Sequence, residues 1–113
     1  MATDGPVNVK TQARELMAKA NDASSGRAAH MLRGGPDSHL SQTVIAMRAG
    51  ASLSEHENPG EATVLVLEGQ VRLVAGDQSW QGAPGDLIDV PFTRHSLEAE
   101  GDSVVLLTAV KRV

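Results

Sequence analysis

The sequence predicts an all-β domain preceded by one short helix. Three observations point there. About nine short runs rich in β-branched and aliphatic residues recur between Arg27 and Val110. Gly, Pro, Asn and Asp clusters separate them at intervals of roughly 6–12 residues. Only one stretch repeats its apolar residues at helical spacing, and it lies near the N-terminus. Many short strands without helices between them read as a β-sandwich or barrel, not a parallel α/β sheet.

Each element has its own signal. Residues 1–10 are mostly small and polar and read as a flexible tail. Thr11 is a candidate N-cap for a helix over about residues 12–21. Ala13, Leu16, Met17 and Ala20 form one apolar stripe there. Asn21 to Gly26 has turn composition. Arg27–Arg33 is a weak strand, and Gly34-Gly35-Pro36-Asp37 breaks it. His39–Arg48 is a stronger strand, apolar on both faces and so expected to be covered on both.

A short strand then ends at His56, and Asn58-Pro59-Gly60-Glu61 reads as a turn. Thr63–Leu67 follows, and Gln70–Ala75 is expected to pair back on it across Glu68-Gly69. Gln78–Gly82 carries Trp80. Ala83-Pro84-Gly85-Asp86 repeats the Pro-Gly turn, and strands over 86–90, 93–99 and 103–110 complete the chain. Residues 11–113 are expected to form one domain.

Composition narrows the function. The 113 residues carry a net charge of −4, which argues against nucleic acid, whose affinity rests on Lys and Arg. Aromatic residues make up 2% of the chain, too few for a stacking platform. There is no cysteine, hence no disulfide, thiolate ligand or cysteine nucleophile. No signal-peptide pattern and no apolar run of spanning length stands out, so the expected setting is the cytoplasm, away from membranes.

Two spaced patterns carry the chemistry. Gly50, five residues, then His56 begins the first; Gly69 ends it. Gly85, five residues, then Pro91 begins the second, with His95 four residues on. On that strand His95, Leu97 and Ala99 share one side, and Ser96, Glu98 and Glu100 the other. The second side reads as solvent, so His95 is expected to point inward. An inward histidine suits hydrogen bonding, general-base work or metal ligation.

These patterns resemble the two motifs of the cupin family, G-x5-H-x-H-x3-4-E-x6-G and G-x5-P-x-G-x2-H-x3-N. The core motifs fall at residues 50–69 and 85–99. The resemblance implies a double-stranded β-helix, or jelly-roll barrel. It implies a divalent metal (Fe, Mn, Ni or Zn) held by two histidines and a glutamate of the first motif and a histidine of the second. Here His56 and His95 match ligand positions. Asn58 replaces the second histidine and Ala62 the glutamate, and the second motif is one residue short before His95.

The expected function is therefore a small cupin that binds a small organic ligand in its barrel cavity. The expected lining is Met47, Val64, Val66 and Leu97 around the polar points His56, Asn58, His95 and Gln42. The alternative is a divalent-metal-dependent enzyme of dioxygenase or isomerase type, with His56 and His95 as ligands. Leu65 and Leu67 make the Thr63–Leu67 strand apolar on its second face too. Either the helix or a second copy must cover that face, and a homodimer is expected.

Overall fold

A computed structural model describes residues 5–56 and 60–111, with backbone alone for 54–56. The chain runs α1 (Val9–Asp22), β1 (Arg27–Arg33), β2 (Leu40–Met47), β3 (Ser52–His56) and β4 (Gly60–Glu68). It continues with β5 (Val71–Ala75), β6 (Gln78–Gly82), β7 (Leu87–Asp89), β8 (His95–Ala99) and β9 (Ser103–Lys111). The strands form two antiparallel sheets, β1-β2-β9-β4-β7 and β3-β8-β5-β6. The described residues form the expected all-β jelly roll with a single helix. Among the described residues, no helix is long and apolar enough to cross a membrane.

The helix starts earlier than Thr11. Asn8 is the N-cap, its side-chain oxygen accepting from the Thr11 backbone N–H at 3.0 Å. The helix thus takes in Val9 and Lys10, which the sequence had placed in the tail. Ala13, Leu16 and Ala20 are buried as the stripe requires. They pack on Val44, Ala46 and Val104, the outer face of the larger sheet. Burying Leu16 contributes about 1.5–3 kcal/mol. At the far end the Arg48 guanidinium donates to the Asn21 carbonyl at 3.1 Å, where the helix dipole favours a cation.

Strands β2 and β9 are apolar on both sides because each side faces a core. Their register pairs Ile45 with Val105 and Val44 with Leu106. Ile45, Met47 and Val105 enter the barrel core, while Val44, Ala46, Val104 and Leu106 meet the helix. Leu67 of β4 also packs against the helix cluster.

One expected pairing is wrong. β5 does not fold back on β4; β4 lies between β9 and β7, and β5 between β8 and β6. Glu68-Gly69 is a corner between sheets, not a hairpin. Gly69 sits at φ +82, and a Cβ there would run into the Asp102 carbonyl and Ser103 Oγ. Ser103, fully buried, stitches this corner: its Oγ accepts from Gln70 N–H at 3.1 Å and lies 2.9 Å from the Gln70 carbonyl.

Candidate ligand cavity

His95 reaches the barrel interior through strand alternation. On β8, His95, Leu97 and Ala99 are buried, and Glu98 is exposed. His95 is 4% exposed. Its Nδ1 donates to the Thr93 carbonyl at 2.9 Å. A carbonyl only accepts, so Nδ1 carries the hydrogen and, in the neutral ring, Nε2 is the basic nitrogen.

The approach to β8 is set by the second Pro-Gly turn. Gly85 has φ +94, and the Asp86 N–H donates to the Ala83 carbonyl at 2.9 Å, as a type II turn with Pro at its second position requires. Asp86 Oδ2 accepts from the Ala83 N–H at 2.8 Å and locks it. The Gly85 N–H then donates to Val66, and the Val90 N–H to Ala62, which anchors the segment along β4. The matching turn at 58–61 spans residues outside the described set.

β3 brings the other histidine alongside. Leu53 pairs with Leu97, but His56 pairs with His95, so the register shifts by one residue between them. That irregularity sets His56, rather than Glu55, opposite His95. The His56 side chain and the whole of Asn58 lie outside the described residues.

Between the sheets lies a cavity of about 170 Å³. Ile45, Ala62, Val64, Val105, Leu107 and Ala109 line it from the larger sheet, with Val90 from the segment after β7. Leu53, Leu73, Leu97 and His95 line it from the smaller. His95 is the one polar side chain among these.

The sequence placed some of this and missed the rest. His95, Val64 and Leu97 line the cavity. Met47 and Val66 do not: they are fully buried in the packed part of the barrel core. Gln42 is on the wrong face, in step with Val44 and Ala46, and its amide donates to Thr108 Oγ1 at 3.3 Å. Ile45, Leu53, Ala62, Leu73, Val90, Val105, Leu107 and Ala109 were missed. Alternation with Val64 and Leu97 through the sheet register would have found most of them.

The metal expectation meets a specific difficulty. Ala62 stands where the family glutamate would, and it lines the cavity. Glu61 beside it is exposed. Among the described residues, no three His, Asp or Glu side chains come together as a metal site. A four-ligand centre needs that carboxylate, so the described donor set does not fit it.

Solved structures with the same architecture bracket these observations. A conserved protein of unknown function from Streptococcus pyogenes is 19% identical, with a TM-score of 0.74 over 100% of this chain and 92% of that one. A cupin superfamily protein from Desulfitobacterium hafniense is 19% identical, with a TM-score of 0.73 over 99% of this chain and 95% of that one. A variant of salicylate 1,2-dioxygenase from Pseudoaminobacter salicylatoxidans is 20% identical, with a TM-score of 0.76; it is matched over 92% of this chain but 34% of its own. At such identities the likeness speaks for the fold alone. No curated protein matches. The sequence profile of the Cupin domain matches residues 43–111, which hold β3 to β9, His56 and His95, and every lining residue named above. With that span matched, the chain belongs to the cupin family.

Proposed function

We propose that this cupin binds a small organic molecule in its barrel cavity, with His95 as the polar contact and His56 as a second one. The observation that carries the reading is the cavity of about 170 Å³, walled by aliphatic side chains around a single described imidazole. Ligand pockets have this make-up: apolar walls for affinity and a few polar groups for orientation. The cytoplasm is part of the proposal, supported by the absence of cysteine.

The register that sets His56 opposite His95 favours a second reading, a divalent-metal-dependent dioxygenase or isomerase. Ala62 weighs against it. Metal content of untagged protein, with and without added Fe²⁺, Mn²⁺, Ni²⁺ and Zn²⁺, separates the two. The binding reading expects substoichiometric metal that His56→Ala and His95→Ala leave unchanged, and ligand-induced thermal shifts that survive chelation. Stoichiometric metal lost in both variants would replace it with the enzyme reading.

We also propose a homodimer. Leu65 pairs with Leu87 on the outer sheet face, and Leu87 is 63% exposed. Sedimentation as a monomer at micromolar concentration would remove this part.

A further inference from the structure

The register explains why the barrel is hollow at one end. Along the inner face of β4 the side chains run Val66, Val64, Ala62. Their partners on β9 are Val105, Leu107 and Ala109. On β2 the same layers run Ile45, Thr43 and Ser41, beyond Met47. On this sheet side-chain volume therefore falls toward the Ala62–Ala109 pair, two methyl groups facing the same space. A glutamate or a leucine at residue 62 would occupy that space; alanine leaves it to a ligand.

Resting on the ligand-binding reading, we infer that the cavity takes an uncharged, hydrocarbon-rich molecule of about one ring, and that the facing pair Ala62 and Ala109 sets its length. Size comes first. An apolar cavity of ~150 Å³ accommodates benzene, and this one measures about 170 Å³. Charge comes second. Among the described lining residues there is no Lys or Arg to meet an anion and no Asp or Glu to meet a cation. A charged ligand would lose its hydration against Ile45, Val64, Leu73 and Leu107, with the His95 imidazole as the one described lining group able to answer a charge.

The test uses the full chain with four probes: benzene, phenol, benzoate and naphthalene. Benzene and phenol are expected to raise the melting temperature by several degrees at saturation, and benzoate and naphthalene to leave it unmoved. Ala62→Leu and Ala109→Leu are each expected to abolish the benzene shift in protein whose circular dichroism is unchanged. If either fails to fold, the smaller Ala62→Val should still weaken benzene binding several-fold. Benzoate or naphthalene shifts with benzene and phenol silent would overturn the size and charge class while leaving ligand binding in place. A benzene shift that survives every substitution at Ala62 and Ala109 would put the probe elsewhere and overturn the inference too. Silence from all four probes overturns it as well. Silence extended to a broad panel of neutral and charged compounds removes the ligand-binding reading itself.

Discussion

The two ends of the barrel interior are built differently on the same strands. At one end Met47, Val66, Val71 and Ala99 fill the space, all buried and none lining the cavity. At the other, Ala62, Ala109, Leu107 and His95 leave about 170 Å³ open. Among the described residues, each end also holds one of the two buried polar side chains. Ser103 at the packed end is bonded to the Gln70 backbone and serves the sheet-to-sheet corner. His95 at the hollow end is oriented by a backbone carbonyl and turned to the cavity. A close-packed interior tolerates no voids without cost. The difference therefore concentrates close packing at the corner end and leaves open space at the other, where the proposed ligand would sit.

The largest effect that would break this division is at the corner. Gly69→Ala adds a methyl at φ +82, against the Asp102 carbonyl, Ser103 Oγ and, at 2.7 Å, Ser103 Cα. Backbone has to move, and the expected loss is about 4 kcal/mol or more. Gly76 is the control: its φ is +59 but a Cβ there meets nothing within 4 Å. Gly76→Ala should cost only the left-handed strain, about 1–2 kcal/mol. Urea midpoints of both variants measure the gap. Equal losses would mean that the corner is not tightly packed.

Next comes overpacking at the filled end. Ala99 is 4% exposed and pairs with fully buried Val71. Ala99→Val has no room to grow into and should cost about 1–3 kcal/mol. A neutral result would show slack where the packed end is described as full.

What the sequence made legible follows the same divide. Strand alternation is a local property, so the inward side of β8 and the burial of His95 could be read from six residues. The number of strands and their turns were equally local. Partner choice was not. Glu68-Gly69 looks like a two-residue hairpin turn, yet Gly69 passes the chain to the other sheet. The apolar pairs Val64/Val66 and Leu65/Leu67 show that both faces of β4 are covered, but a face pattern does not name the strands that pair at its edges. Depth along the barrel was not legible either. Alternation put Val66 and Met47 on the inner face correctly, but the register is needed to set Met47 beyond the cavity, level with Ser103, and Val66 at its edge, level with the lining residue Val105. The helix start was missed because Asn8 and Thr11 are both good caps. The bond from the Thr11 N–H to Asn8 decides between them.

The smallest expected effect is the most informative, because its sign carries the comparison. Ala62→Val makes the same chemical change as Ala99→Val, on an inner face of the same barrel. At residue 62 the added methyl groups enter the cavity beside Val64 and opposite Ala109. They gain contacts and remove apolar surface from a void, at the cost of a little side-chain freedom. Filling a cavity in this way is worth roughly 0.5–1 kcal/mol of added stability, before any ligand is present. The same substitution should weaken small-ligand binding, so stability and binding move in opposite directions. Thermal melts of Ala62→Val and Ala99→Val, run side by side without ligand, are expected to move to opposite sides of the parent. If both fall by similar amounts, the two ends are equally full in solution, and the hollow end loses its claim to a guest.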